Sequence, residues 1–177
     1  EEALEKLRLG MRVMVREGSA AKNLKEIAPL LKSADTRNCM LVTDGDRTLR
    51  DLKEEGYLDY VLRRAIEEGI DPVKAVQMCT INTAQWFKLD DVIGSISPGK
   101  VADIVLLNNL EKFEVETVIV DGKTDYALAS EFVSKYPQYG GSVRIERIRP
   151  EDFAITLEPA SKVRIIGLIE GELLTDE

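Results

Sequence analysis

The stretch Cys39-Met40-Leu41-Val42-Thr43-Asp44-Gly45-Asp46 decides how this chain is read. Four apolar residues in a row, Cys39 to Val42, have the length and character of a buried strand. A carboxylate, Asp44, stands just past the end of that strand, and a glycine follows at once. In α/β proteins the carboxyl ends of parallel strands are where ligands bind and chemistry is done. A carboxylate there is able to hold a metal or take a proton. Asp-Gly is also ordinary turn chemistry, because both residues tolerate the left-handed backbone of tight turns. From spacing alone, both roles stand for Asp44.

Upstream, Arg12 to Arg16 reads as a strand with Val13 and Val15 on one face, closed by Glu17-Gly18-Ser19. Ser19 is placed to N-cap a helix from Ala20 to about Lys32, with Leu24, Ile27, Leu30 and Leu31 on its apolar side. Pro29 falls inside that pattern and is expected to kink or shorten it. Ahead of the strand, Glu1 to Arg12 patterns as a helix through Leu4, Leu7 and Met11. Downstream of Asp44 comes a polar turn, then a helix from Leu58 to about Glu68, with Gly69 as its stop. Asp71-Pro72 opens a further helix as N-cap and first residue, running to about Phe87. Trp86 and Phe87 read as core packing, and Arg63-Arg64 and Glu67-Glu68 as a solvated face.

This order, α-β-α-β-α-α, implies parallel strands joined by helical crossovers. Parallel sheets are covered on both faces, and two strands do not make one alone. The first half therefore reads as the last strand–helix units of a larger barrel, with a small doubly wound domain as the alternative.

The character changes after Ile93. Pro98-Gly99 fits a type II turn. Ala102 to Leu107 and Val115 to Val120 read as strands, and Asp121-Gly122 is a hairpin turn signal. In the last third, Tyr126 to Ser134 patterns as a short helix and Tyr136 to Gly141 as a linker. Val143 to Ile148, Phe153 to Ile155 and Val163 to Ile169 pattern as strands.

Composition narrows the function classes. The 177 residues are 44% hydrophobic and 32% charged, which is globular rather than disordered. A net charge of −8 opposes nonspecific binding to nucleic acid or an anionic membrane. No apolar run approaches the roughly 20 residues of a membrane span, and no secretory leader is visible. Cys39 and Cys79 sit in apolar surroundings without metal-ligand spacing, as buried free thiols of a reducing cytosol do. The chain has no histidine, the commonest ligand of zinc and its neighbours.

Several segments, taken in order, carry a family resemblance. Thr43-Asp44-Gly45, Asp51-Leu52, Glu55-Gly56-Tyr57, Ala75 to Asn82 (AVQMCTIN) and Ser97 to Val105 (SPGKVADIV) resemble the C-terminal part of metal-dependent amidohydrolases. The nearest resemblance is to the adenine deaminases, which are similar to this chain at Arg16-Glu17-Gly18-Ser19-Ala20. Pro150 to Phe153 and Gly171 to Thr175 resemble the start of the extra C-terminal domain those enzymes carry. The fold this implies is α/β. Residues 1–93 would form the last βα units of an amidohydrolase (β/α)8 barrel. Residues 94–124 would form a small β-sandwich return, and residues 125–177 the mostly β start of the C-terminal domain.

The activity implied is hydrolytic deamination of adenine to hypoxanthine and ammonia. A divalent metal, manganese, zinc or iron, would activate the water. Asp44, by its match to the family's last-strand aspartate, would be both metal ligand and catalytic base. Glu17 and Ser19 are the substrate-contact candidates. The family takes most metal ligands from histidines, and none is present here. Two readings follow: a piece of a longer enzyme that binds no metal by itself, or a metal-free binding or oligomerisation module derived from one. The opening helix, which starts without an N-cap, favours the piece. Gly45 stands where many adenine deaminases have a second aspartate, and Tyr57 where histidine is common. Those departures leave another purine or a cyclic amide as the alternative substrate. The resemblance further implies a cytoplasmic homo-oligomer with a small purine substrate, and neither nucleic acid nor membrane as partner.

Overall fold

A computed structural model of the chain describes residues 1–125, 144–145, 147–159, 161–169 and 173–176. Its first half is built on two strands, β1 (Val13–Arg16) and β2 (Cys39–Val42), paired in parallel with Val13 opposite Cys39 and Arg16 opposite Val42. Helix α1 (Glu2–Arg8) precedes β1, and α2 (Leu24–Ser33) carries the chain between the strands. After β2 come α3 (Leu49–Glu54), α4 (Leu58–Glu67), α5 (Pro72–Cys79) and α6 (Ile81–Trp86).

Strand periodicity explains which residues meet. Val13 and Val15 point to one face and are buried, while Met14 points to the other and is 46% exposed. The buried face packs against Leu24, Ala28 and Leu31 of α2, Val61, Leu62 and Ala65 of α4, and Ala75 and Met78 of α5. Each large apolar side chain so buried contributes about 1.5–3 kcal/mol. In β2, Cys39, Met40 and Leu41 are all buried, which is the continuous apolar character of an interior parallel strand.

Helix α5 starts as its sequence requires, with the Asp71 carboxylate accepting the Lys74 N–H at 3.0 Å and Pro72 in the first turn. The single helix expected from there to Phe87 is instead two. The chain breaks at Thr80, whose φ of −121° and ψ of −92° are not helical. The hydroxyls of Thr80 and Thr83 donate to the carbonyls of Val76 and Met78, at 2.7 and 3.0 Å, in competition with the helical pattern. Helix α2 begins at Leu24 rather than Ala20 and continues through Pro29. Helix α3 occupies what reads in sequence as a polar turn. Thr48 caps it, accepting the Asp51 N–H at 3.2 Å.

One staple ties the second half of this unit to the first. Asn82, buried on α6, donates through Nδ2 to the carbonyls of Thr36, at 2.8 Å, and Cys39, at 3.0 Å. Trp86 and Phe87 are not core residues: they are 48% and 58% exposed, and the Arg12 guanidinium lies 5.5 Å from the centre of the Trp86 ring.

Strands β3 (Ile104–Asn109) and β4 (Glu114–Ile119) form an antiparallel hairpin apart from the parallel pair. Gly99 has φ of +89° and the Lys100 N–H donates to the Ser97 carbonyl, the pattern of the expected type II turn. Asp121 and Gly122 have φ of 49° and 74°, and Val120 and Lys123 exchange two hydrogen bonds of 2.9 Å, a tight two-residue turn. Among the described residues after 125, Pro150–Phe153 form a 3-10 turn, and β5 (Gly167–Leu168) pairs antiparallel with β6 (Thr175–Asp176). The strand expected at Phe153 to Ile155 is not formed; Phe153 closes the 3-10 turn and Ile155 is exposed. The expected helix at 126–134 and linker at 136–141 lie outside the described residues.

Candidate functional site

The carboxyl ends of β1 and β2 lie side by side, because the α2 crossover returns the chain to the same edge. The Glu17 N–H donates to the Val42 carbonyl at 3.0 Å, carrying the parallel pairing one step beyond β1. Glu17, Ser19 and Asp44 thus share one rim, as the element order predicts.

Asp44 is a corner residue of a tight turn. Asp44 and Gly45 have φ of 59° and 74°, and the Asp46 N–H returns to the Thr43 carbonyl at 3.4 Å. Two successive left-handed residues make a type I′ turn, for which Asp-Gly is a preferred pair. The turn accounts for the dipeptide, and its location gives Asp44 its interest. The carboxylate is 43% exposed and pairs with the Arg16 guanidinium at the end of β1, 3.3 Å away.

Glu17, one of the two substrate-contact candidates, is buried at this rim. It is 5% exposed. Burial pushes its carboxyl above the usual range, opposed by Lys22 and by Arg64, whose Nε lies 4.0 Å from Oε1. Arg64 also pairs with Glu67 and Glu68, so it belongs to a charge cluster against the rim rather than to a free solvated face.

Ser19 does not cap α2. Its hydroxyl donates to the Asp51 carboxylate and accepts the Thr48 N–H at 2.9 Å. The rim loops after β1 and β2 are therefore sewn together. The largest share of that stitching comes from Asp46, which sequence reading passed over. Asp46 Oδ1 accepts the Ser19 N–H at 3.1 Å, and Oδ2 accepts the Ala20 and Ala21 N–H groups at 3.0 and 2.8 Å. Arg47, its neighbour, is buried under the Tyr60 ring, 4.1 Å from the ring centre. Its Nη2 reaches the Glu55 carboxylate at 2.8 Å and the carbonyls of Asp51 and Gly56 at 3.1 Å. Thr43 Oγ1 donates to the Tyr57 hydroxyl at 3.2 Å, which brings Tyr57 to the residue beside Asp44. No local signal marks Asp46 or Arg47, since their roles depend on which loops the fold brings together.

The rim is not a complete metal centre. Among the described residues no three Cys, Asp or Glu side chains converge to hold an ion, and the sequence has no histidine. Asp44 fits the part of one carboxylate ligand. A separate cavity of about 950 Å³ lies between α4–α6 and the β3–β4 hairpin, lined by apolar groups such as Leu62, Val76, Phe87, Ile104 and Phe113. Asp44, Glu17 and Ser19 do not line it. Cys79 does, and burial pushes its thiol up to about 12; Cys39 is pushed to about 11.

Comparison with known proteins bears on this rim. The model of the Amidohydrolase family matches residues 2–124. The chain is 48% identical over 179 residues to an adenine deaminase of Archaeoglobus fulgidus, a match covering 100% of this chain and 30% of the relative. Adenine deaminases of Methanococcoides burtonii and Clostridium botulinum are 39% and 41% identical, covering 99% and 100% of this chain and 30% and 31% of theirs. The chain thus spans about 30% of the length of the curated relatives it matches. Among solved structures, a beta-aspartyl dipeptidase of Fervidobacterium islandicum is similar with a TM-score of 0.57 at 21% identity, covering 73% of this chain and 38% of that one. A molinate hydrolase is similar with a TM-score of 0.50 at 18% identity, covering 81% of this chain and 39% of its own. At these identities the two structures bear on the fold alone, which is α/β of the amidohydrolase type.

Proposed function

Since this chain belongs to the amidohydrolase family, we propose that it supplies the closing part of the barrel of a hydrolase that deaminates adenine to hypoxanthine and ammonia. The observation that carries the reading is Asp44, at the carboxyl end of a parallel strand beside Glu17. The similarity to adenine deaminases over the whole of this chain supports the substrate. In this reading residues 1–93 belong to a (β/α)8 barrel, 94–124 to a small sandwich to which β3 and β4 contribute, and 125–177 to a further domain. The half-exposed Met14, on the face of β1 away from the helices, supports a barrel interior that further strands would complete.

Hydrolytic deamination exchanges the exocyclic amine of adenine for a hydroxyl taken from water. A divalent metal, when bound, lowers the pKa of that water. Asp44 would supply one carboxylate to such a metal, the remaining ligands coming from segments beyond this chain. The step assigned to this chain is proton transfer: an Asp44 Oδ atom takes the proton of the attacking water and passes it toward the leaving amine. Arg16 holds the Asp44 carboxylate on the rim until then. Glu17 is the purine-contact candidate, a buried carboxylate on the same rim able to accept a hydrogen bond from an N–H of the substrate. Ser19 has its hydroxyl engaged with Asp51 and Thr48, so its contribution is to the shape of the substrate rim. The net charge of −8 supports a small-molecule substrate over nucleic acid or an anionic membrane surface. A homo-oligomer in a reducing cytoplasm completes the proposal.

The test is ammonia release from adenine by the longer enzyme containing this chain, supplied with manganese, zinc or iron. Asp44→Asn keeps the shape but cannot take the proton. It is expected to lose about 10²–10⁴ in rate. A variant keeping more than about a tenth of the rate would make Asp44 a turn residue only. Turnover of another purine, with none of adenine, would move the substrate while leaving Asp44 in its role.

A further inference from the structure

Asp44 stands on a turn whose own bonds are long or exposed. Its own carboxylate is half-exposed and makes one ion pair, with a surface arginine. The turn hydrogen bond, at 3.4 Å, is long. The next residue but one is fastened very differently. Both Asp46 oxygens are occupied by three consecutive backbone N–H groups, those of Ser19, Ala20 and Ala21, on the neighbouring loop. Charge-assisted bonds of this kind are about twice as strong as neutral ones, and three of them end on one side chain. The space for that carboxylate is made by Gly18. A Cβ on Gly18 would fall 1.5 Å from Asp46 Oδ1 and 2.4 Å from Cγ. A side chain at position 18 would displace that carboxylate rather than strain the backbone, because Gly18 is not among the residues with positive φ. Ser19 adds a second tie through Asp51 and Thr48, on the far side of the same turn.

The geometry points to Asp46 as a positioning residue: with Gly18 leaving room for it, Asp46 clamps the end of the β2 turn to the Ser19–Ala21 backbone and thereby sets where Asp44 stands. The inference deepens the deaminase reading and rests on it for the role of Asp44. Asp46 itself touches no reacting atom. Its effect is transmitted through two residues of backbone, and a displacement of about 1 Å at a reacting group is enough to cost on the order of 10²-fold in rate.

Two substitutions break the clamp by independent routes. Asp46→Ala removes the acceptor. Gly18→Ala leaves Asp46 in place and pushes its carboxylate away. In the full-length, metal-loaded enzyme each is expected to lower kcat for adenine by about 10–100-fold, with KM within about threefold of wild type. Asp46→Asn, which keeps one acceptor oxygen, is expected to fall between. The decisive measurement is a double-mutant cycle. If Asp46 acts through Asp44, adding Asp46→Ala to Asp44→Asn lowers kcat no further; a general structural role adds its full loss. Hydrogen exchange on the same proteins reads the clamp without any turnover. Peptides covering 18–22 and 43–48 are expected to lose protection by about tenfold or more, while those of α4 and the β3–β4 hairpin do not change.

Additive losses in the cycle, unchanged kcat in Gly18→Ala, or unchanged exchange at 43–48 would each overturn the inference. If Asp46→Ala unfolds, Gly18→Ala and Asp46→Asn decide. If the wild-type enzyme leaves adenine untouched, the deaminase reading falls, and the exchange data alone decide whether Asp46 holds the Asp44 turn.

Discussion

At the scale of single residues, the rim carries a group that costs stability at neutral pH. Glu17 is buried, and burial raises its carboxyl above the ordinary value of 4.5. A raised carboxyl binds its proton more tightly in the folded state than in the unfolded one. Its contribution is therefore most favourable below pH 4.5 and is lost as pH rises through the folded value. At neutral pH the buried charge costs stability. Glu17→Gln is expected to melt higher than wild type at pH 7, with the difference vanishing below pH 4.5. Melting curves at two pH values check it, and on the proposed role the longer enzyme carrying the same variant is expected to lose adenine turnover. Asn82 works in the opposite sense. Asn82→Ala withdraws a buried donor from the carbonyls of Cys39 and Thr36, the latter keeping the Cys39 N–H at 2.8 Å, and is expected to cost about 1–3 kcal/mol in urea unfolding. Asp44 is legible in sequence because its mark is local, a carboxylate at the end of an apolar run. Asp46, Arg47 and Asn82 are not legible, because the groups that give them meaning are brought in by the fold. The N–H groups that Asp46 binds lie 25 to 27 residues away.

At the scale of elements, the same division holds. Strands β1 and β2 and the two Asp-Gly turns follow from patterns a few residues long, and the structure has them. Helix α3 has the weakest pattern, with six residues, none buried, and Thr48 as its cap. The division of α5 from α6 depends on threonine hydroxyls choosing carbonyls one turn back, which periodicity does not register. That division is braced from outside. Gly94 has φ of +89°, and a Cβ there would lie 2.6 Å from the Ala84 Cβ and 3.2 Å from the Ile81 Cα. Gly94→Ala is thus strained twice over, in backbone and in space. It is expected to destabilise by about 1–3 kcal/mol, measured by thermal or denaturant unfolding, with the damage centred on α6.

At the scale of the whole molecule, the parallel pair and the antiparallel hairpin are separate sheets, and the hairpin faces helices α4–α6 across the apolar cavity. The change of character in the sequence after Ile93 falls between these two sheets. The C-terminal third was harder to read, because apolar runs such as Val163 to Ile169 pattern as strands whether or not a partner exists. Ile165 and Leu168 are 74% and 89% exposed, and among the described residues of that run only Gly167–Leu168 pairs. The 177-residue chain by itself is expected not to release ammonia from adenine with added manganese or zinc. It has no histidine, and its described residues bring no three metal-binding side chains together. Turnover above the protein-free rate would show that this rim is sufficient alone.

The Asn82 staple also says something about time. The β1–α2–β2 unit closes through a short crossover, whereas Asn82 reaches back across 43 and 46 residues to Cys39 and Thr36. Closing the longer loop costs more chain entropy, about 0.6 kcal/mol for each doubling of length, and contacts that span more chain form more slowly. The β1–α2–β2 unit is therefore expected to form before α6 locks onto it. On that order, Asn82→Ala leaves the refolding rate nearly unchanged and places its whole cost on faster unfolding. The residue acts as a latch on a finished structure, and its loss shortens how long the folded chain survives.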